Sequence, residues 1–191
     1  MATAHCNQGG DKRMLYLITH GYGRRKVGKG NPRHTTEGLL QFVGNMAGMV
    51  HVISSQKPPL VVVGEGRRFL ETYRLFLGMG MLEGVPVKFS MFCGTETSRQ
   101  DRRTGTWIVL GDGTIARKKS YIGMADVAVD WWKAFIDPLP NRTVLFSGST
   151  LMKGLGAKES ASCSLYIIHR RVRAIYCAVR HGESAGCERV K

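Results

Sequence analysis

The chain has 191 residues, of which 43% are hydrophobic and 22% charged, and its formal net charge is +14. This composition predicts a folded chain with a substantial core and excludes an intrinsically disordered one. No apolar run approaches the roughly 20 residues that a membrane-spanning helix needs, so we expect no membrane partner. Residues 1–12 lack the apolar centre of a signal peptide, and we therefore expect a flexible leader followed by one α/β domain over residues 13–191.

The basic residues, 28 against 14 acidic ones, favour anionic partners. Phosphorylated small molecules, nucleotides and nucleic acid belong to this class, although a generally basic, solvated surface gives the same excess. The five cysteines include no Cys-x-x-Cys pair, so we expect neither a zinc site nor another bound metal. Cys93, Cys163 and Cys177 lie in strand-like runs and are predicted to be buried thiols in a reducing cytoplasm. We expect no cofactor, and the sequence leaves the oligomeric state open.

The first predicted strand follows Arg13 and runs into a histidine that precedes a glycine, His20-Gly21. A short apolar run that ends in this way is typical of a buried strand. Ligands of open α/β sheets bind at the carboxyl ends of the strands, because the loops there leave a crevice. His20 at such an end can act as a nucleophile or as an acid–base group. The alternative is a histidine that merely ends a strand.

Two strand–turn–helix units follow one another in the first half of the chain. Thr35 is predicted to cap a helix that extends to about Val52. The run Leu60–Val63 predicts a buried strand, and a glycine turn leads from it into a second helix over Arg67–Leu77. Repetition of this unit favours a parallel sheet with helices on its faces. The predicted apolar face of the first helix consists of Leu39, Leu40, Phe42, Val43, Met46 and Met49.

The second half of the chain adds further strands and an antiparallel part. The predicted elements are a strand over Val85–Phe92, a hairpin of Trp107–Leu110 with Thr114–Ala116, a helix over Met124–Ile136 with Trp131 and Trp132 in the core, a strand over Thr143–Phe146, a short helix over Leu151–Leu155, and two antiparallel strands over Ser162–His169 and Val172–Val179. The predicted fold is therefore α/β, with a mainly parallel central sheet, helices on both faces and an antiparallel edge hairpin.

Three strand ends are expected to meet at one edge of this sheet. They are Thr19-His20-Gly21, Gly64-Glu65-Gly66-Arg67-Arg68 and Ser147-Gly148-Ser149. Free backbone N–H groups and arginines at such a place suit a phosphoryl group. A neutral histidine is a competent nucleophile near pH 7, so the phosphoryl group can be transferred to His20. The residues thus favour the chemistry of a phosphatase.

In their order and spacing these motifs resemble the histidine phosphatase (phosphoglycerate mutase-like) superfamily. That family opens with a strand ending in Arg-His-Gly, whose histidine takes up the phosphoryl group, and residues 19–21 match it here. Residues 34–41 resemble its Leu-Thr-x-x-Gly-x-x-Gln helix, and residues 68–72 its Arg-x-x-x-Thr, whose arginine binds phosphate. The match covers roughly Arg13–Val179. It implies a phosphoglycerate mutase-like fold, with His20 as the nucleophile and Arg68 as a phosphate clamp.

Two of the family's phosphate contacts differ in this chain. Thr19 stands in place of the arginine before the nucleophile, and Gly148 or a serine beside it replaces the second histidine. We predict Glu96 as the proton donor. The predicted substrate-binding residues are Gly21, Arg24, Arg25, Arg67, Ser147, Gly148 and Ser149. The alternative is a catalytically impaired member that binds phosphorylated ligands or nucleic acid through its basic surface.

Two further motifs have competing interpretations. Arg180-His181-Gly182 matches the family's opening motif more closely than residues 19–21 do, which indicates either a circularly permuted site or a basic end to the last strand. The stretch Gly23–Gly30 nearly matches a nucleotide-binding phosphate loop. Gly30 replaces the hydroxyl residue that would hold magnesium, and Pro32 prevents a helix directly behind it. We interpret this stretch as a basic loop that clamps an anionic substrate.

Overall fold

The computed structural model describes residues 13–20, 35–64, 66–93, 107–109, 115–117, 130–180 and 188–191. Its elements are β1 (Met14–Thr19), α1 (Thr36–Ser54), β2 (Val61–Val63), α2 (Arg67–Gly78), β3 (Val87–Phe89), a 3-10 turn (Met91–Cys93), β4 (Trp107–Val109), β5 (Ile115–Arg117), a π-helical segment (Trp132–Ile136), β6 (Val144–Ser147), α3 (Ser149–Gly154), β7 (Leu165–His169), β8 (Ala174–Val179) and β9 (Glu188–Arg189). None of the helices in these ranges is long and apolar enough to cross a membrane.

Seven of the strands form one mixed sheet in the order β3-β2-β6-β1-β7-β8-β9. The pairs β2–β3, β2–β6 and β1–β6 are parallel, whereas β1–β7, β7–β8 and β8–β9 are antiparallel. The sheet confirms the predicted α/β class and the predicted antiparallel edge. That edge is wider than one hairpin, because β9 adds to β8. Strands β4 and β5 pair with each other as predicted and form a separate two-stranded sheet.

The two faces of the sheet carry separate hydrophobic layers. Leu15 and Leu17 of β1 pack in one layer with residues of the π-helical segment and α3. Tyr16 and Ile18 point to the other layer, which α1 and α2 cover. Successive side chains of a strand point to opposite faces, so β1 contributes to both layers along its whole length. Helices therefore cover both faces, as predicted.

Helix α1 begins as the sequence predicts. The hydroxyl oxygen of Thr35 accepts a hydrogen bond from the Gly38 N–H at 3.0 Å, which satisfies one of the free donors of the first turn. The predicted apolar face is wrong in part, because Leu39 is 36% exposed and Leu40 and Val43, the most exposed, are 69% and 55% exposed. At 100° per residue the last two positions lie about 160° and 100° around the helix from the fully buried Phe42. The stripe that packs on the sheet is Phe42, Met46, Met49 and Ile53.

The tryptophans and cysteines behave as predicted within the described residues. Trp131 and Trp132 are buried, and the indole N–H of Trp132 donates to the Leu155 carbonyl at 3.1 Å. The described part of their helix is π-helical and ends before the prolines. Residues 124–129 of the predicted helix lie outside the described residues. The predicted burial of Cys93, Cys163 and Cys177 is confirmed.

Candidate active site

His20 directly follows β1 at the carboxyl end of the parallel half of the sheet. Its N–H donates to the Ser147 carbonyl at 3.4 Å, and its carbonyl accepts from the Cys163 N–H at 3.1 Å. The half-buried imidazole lies beside Phe69, with ring centroids 5.2 Å apart and an interplanar angle of 55°. The backbone of His20 is thus held from both neighbouring strand ends, and Phe69 supports one side of its ring.

Gly148 provides the space in which the imidazole lies. A Cβ atom at this position would lie 3.1 Å from Nε2 and 3.3 Å from Cδ2 of His20, and 3.3 Å from the Phe69 ring. Gly148 is also the residue from which α3 begins, and the exposed Ser149 is the first residue of that helix. The structure therefore brings Gly148 to His20, at the strand end where the resemblance expected a second histidine.

Arg68 lies on the first turn of α2, which carries Phe69 to His20. The N–H groups of Phe69 and Leu70 donate to the Gly66 carbonyl at 3.1 and 3.2 Å and close this turn. The hydroxyl of Thr72 donates to the Arg68 carbonyl at 2.8 Å, so the threonine of the Arg-x-x-x-Thr motif stabilises the turn that holds its arginine. The Arg68 side chain itself is half-buried.

Thr19 and His20 are successive residues at the end of β1, so alternation along the strand places the Thr19 side chain on the sheet face opposite the His20 ring. It is only 2% exposed, and its hydroxyl donates to the Ala161 carbonyl at 2.7 Å and accepts from the Ser164 N–H at 2.9 Å. The same 161–164 segment contacts His20 through the N–H of Cys163. Thr19 therefore fixes the segment that holds the His20 backbone.

Cys163 connects this segment to α1. It has a positive φ of 52°, and its carbonyl accepts from the Asn45 side-chain amide at 2.9 Å. Cys163, Asn45 and Phe69 were absent from the predicted site. Their partners are distant in sequence, and no local motif signals such contacts.

The predicted role of the Ser147 side chain in substrate binding is incompatible with its position. Ser147 is fully buried, and its hydroxyl donates to the Cys93 carbonyl at 2.6 Å, which leaves no exposed surface for a ligand. Burial also raises the pKa of the Cys93 thiol, and the Ser147 hydrogen bond only partly opposes this. Gly64 lies in the same buried region, since a Cβ there would lie 2.5 Å from the Phe69 ring and 2.8 Å from the Cys93 carbonyl oxygen. We call this region of Gly64, Cys93 and Ser147 the floor beneath Phe69.

Several predicted residues fall outside the part of the chain that the structure describes. These residues are Gly21, Arg24, Arg25, Glu96 and His181, together with the loop Gly23–Gly30. Only the backbone of Arg67 is described. Arg180 follows β8 and forms an ion pair with Glu159, with 3.3 Å between Nη2 and Oε2. Among the described residues, no group of three or more His, Cys, Asp or Glu residues could hold a metal ion.

Comparison with known proteins gives matches among solved structures. No protein-family model matches the sequence, and no curated protein matches it. A protein from Escherichia coli assigned as an alpha-ribazole-5'-P phosphatase superposes with a TM-score of 0.51 at 14% identity, over 91% of this chain and 98% of that chain. SixA from Agrobacterium tumefaciens, assigned as a phosphohistidine phosphatase, gives 0.45 at 8% identity, over 90% and 97%. A mycobacterial glucosyl-3-phosphoglycerate phosphatase gives 0.42 at 17% identity, over 81% and 89%. The chain therefore shares the α/β fold of the Escherichia coli protein, the phosphoglycerate mutase-like fold that its sequence motifs implied.

Proposed function

We propose that this protein is a divergent histidine phosphatase, which hydrolyses phosphoesters or transfers a phosphoryl group through a phosphohistidine at His20. The observation that carries the proposal is the position of this half-buried imidazole at the carboxyl end of β1, with its Nε2–Cδ2 edge against a residue that has no side chain. Arg68 precedes Phe69, whose ring lies beside His20, and we propose that its guanidinium is the phosphate clamp. The Escherichia coli structure of similar fold, which is assigned as an alpha-ribazole-5'-P phosphatase, supports the same class of reaction.

The reaction begins when the Nε2 lone pair of a neutral His20 attacks the phosphorus. The P–N bond forms while the bond to the leaving oxygen breaks, and that oxygen takes a proton from a general acid, for which Glu96 is our candidate. Water then attacks the phosphorus and gives a proton to the Glu96 carboxylate, while the P–N bond breaks, which releases inorganic phosphate and restores the neutral imidazole and the acid. If another acceptor replaces water, the same intermediate gives phosphoryl transfer. Neither step calls for a cofactor.

In this scheme the phosphoryl oxygens are bound by guanidinium groups and by the exposed edge of α3. Arg68 offers charge-assisted, bidentate hydrogen bonds, and Ser149 offers a hydroxyl. The remaining predicted contacts come from Gly21, Arg24, Arg25, Arg67 and Gly148. A phosphorylated small molecule is the substrate class that matches this set and the net charge of +14.

A second candidate function is binding of phosphorylated ligands or nucleic acid without turnover. Two observations favour it: the buried Thr19 is bonded to the 161–164 segment, and Gly148 stands beside His20 at the strand end where the resemblance expected a second histidine. Each missing charge-assisted hydrogen bond would contribute about 1.5–3 kcal/mol to phosphate binding. Loss of two such contacts lowers the transition-state stabilisation that the site can provide.

Phosphate release from a panel of small phosphate esters distinguishes the two functions. We expect release by the native protein to disappear in His20→Ala and to persist in His51→Ala, a matched change at an exposed histidine in the last turn of α1. Equal release by His20→Ala and the native protein would contradict the proposed nucleophile. Absence of release from the native protein favours binding without turnover, and ligand binding that weakens steeply with added salt would then support it.

A further inference from the structure

A basic groove, separate from the candidate active site, lies at the opposite end of β1 from His20. Arg13, Asp137, Asn141, Arg170 and Arg171 line it, and its cavity volume is about 340 Å³. The six residues of β1 span about 20 Å, so the groove is well separated from the imidazole. Its volume is at the lower end of the roughly 300–1,000 Å³ typical of small-molecule sites. The groove is therefore sized for a small ligand.

Arg170 builds the floor of this groove. Its Nη1 donates to the carbonyls of Asp137 and Leu139 at 3.0 and 2.6 Å, and its Nη2 donates to the side-chain oxygen of Asn141. The amide NH₂ group of Asn141 is thereby left as a donor. The Nε of Arg170 is buried and has no hydrogen-bond acceptor among the described residues. Arg170 thus holds Asn141 in place and adds a fixed positive charge, and a fixed donor such as the Asn141 NH₂ group binds an anion with little loss of conformational entropy.

The charges around the groove leave an excess of positive charge. The Asp137 carboxylate already faces Arg173, with 3.7 Å between Oδ2 and Nη2. Arg13 and Arg171 are exposed, and neither forms an ion pair with another residue that the structure describes. A planar guanidinium fork matches the oxygens of phosphate or carboxylate groups. The two exposed forks of Arg13 and Arg171, beside the fixed positive charge of Arg170, favour a ligand with more than one anionic group.

We propose that this arginine groove is a second anion-binding site, which takes a small multivalent oxyanion of the pyrophosphate type independently of His20. Free pyrophosphate and the diphosphate of a nucleotide present the same chemistry to the groove. Arg170 and Asn141 form its rigid floor, and Arg13 and Arg171 supply the mobile charges that close on the ligand.

The test is an NMR titration of the full chain with pyrophosphate, followed through the side-chain NH₂ of Asn141 and the Nε–H of Arg170. We expect saturable shifts in the native protein and equal shifts in His20→Ala. The double variant Arg13→Gln/Arg171→Gln should raise the Kd at least about tenfold, because it removes two charge-assisted contacts. Arg74→Gln, at an exposed arginine on α2 outside the groove, should change the Kd less than about twofold.

The outcomes separate specific binding from attraction by the overall charge. If the Asn141 and Arg170 signals stay unchanged at millimolar pyrophosphate, the site does not exist. Equal weakening by Arg74→Gln and by the double variant would also overturn the proposal, as would loss of the shifts in His20→Ala. A parallel titration with ADP identifies the source of the ligand: tighter binding than pyrophosphate indicates a nucleotide, and weaker binding indicates the free anion. Absence of phosphatase activity would not affect this test, because the titration measures binding in the groove and not turnover at His20.

Discussion

The Nε2–Cδ2 edge of His20 and the backbone of Gly148 are so close that a Cβ at position 148 would lie 3.1 Å from Nε2. A side chain at this position therefore requires the imidazole to move by a few tenths of an ångström. This relationship explains why a second histidine cannot be restored at position 148 without displacing the first. It also makes the glycine a sensitive probe of the proposed reaction.

Gly148→Ala should push the His20 ring away from the α3 end of the sheet. Displacement of a nucleophile by a fraction of an ångström is costly, so we expect a fall in kcat of at least about tenfold. The measurements are phosphate release and the NMR shifts of the His20 ring protons.

The matched control for this change is Gly44→Ala. Gly44 lies within α1 and has no atoms within 4 Å of the added carbon. It should leave kcat unchanged and raise the free energy of unfolding by about 0.5–1 kcal/mol, because alanine is the better helix former. Unmoved His20 signals in Gly148→Ala, or the same kinetic effect in both variants, would show that the contact is unimportant.

Thr19→Val should destabilise the fold by about 1–3 kcal/mol. The substitution keeps the shape of the side chain but leaves the Ser164 N–H and the Ala161 carbonyl without their hydroxyl partner in a buried place. Urea unfolding measures this decrease in the free energy of unfolding. Thr19→Ser keeps the hydroxyl and should lose less than half as much. If both variants unfold at the same urea concentration, the hydroxyl is not what holds the segment.

Thr19→Arg restores the family's Arg-His-Gly motif, but the structure predicts that this substitution does not increase phosphate release. Thr19 is 2% exposed and lies on the face opposite the His20 ring, so a guanidinium there must be buried without a phosphate to bind. We expect a lower free energy of unfolding than in Thr19→Val and no gain in phosphate release. Greater phosphate release by this variant would contradict our view of the Thr19 environment.

Local patterns predicted the parts of the fold that depend on neighbours in sequence. The apolar run before His20 marks β1, and Thr35 marks the start of α1 through a bond to the N–H three residues later. It was harder to predict which residues of α1 form the stripe that faces the core. Leu40 and Val43 have the residue types of a core but point away from it, because the sheet contacts one narrow side of the helix.

The parts of the site that the sequence could not predict depend on distant partners. Thr19 is bonded to residues 142 and 145 positions away, and no motif spans such a separation. Ser147 looked like a ligand contact because it precedes a glycine at a strand end. Its burial against the Cys93 carbonyl follows from how the 3-10 turn packs on β6, which is a tertiary effect.

Gly64→Ala tests the floor beneath Phe69. The added carbon would lie 2.5 Å from the Phe69 ring and 2.8 Å from the Cys93 carbonyl oxygen, which belongs to backbone and cannot move aside freely. Overpacking of this kind should lower the free energy of unfolding by about 1–3 kcal/mol. Gly78→Ala, in the last turn of α2, meets no atoms within 4 Å and should not lower the free energy of unfolding. Equal urea midpoints for the two variants would mean that the floor adapts.

Stability should fall as the pH rises above about 10, partly because of Tyr16. Burial raises the pKa of this phenol above its ordinary value of 10.0, and the Arg142 charge opposes the effect only in part. Above pH 10 the unfolded chain releases a phenolic proton that the folded chain keeps. Ionisation therefore favours the unfolded chain, and the contribution to stability is complete below pH 10 and is lost as the pH rises through the folded pKa.

Tyr16→Phe isolates this contribution, since it removes the titrating hydroxyl and keeps the ring in the layer under α1. Urea unfolding of the native protein and the variant from about pH 8 to about pH 11 gives the difference between their stabilities. That difference should be constant up to pH 10 and then shift in favour of the variant, because phenylalanine has no proton to lose. Other titrating groups, such as the lysines, are common to both proteins and cancel. Parallel curves over the whole range would mean that Tyr16 has the same pKa in the folded and unfolded chains.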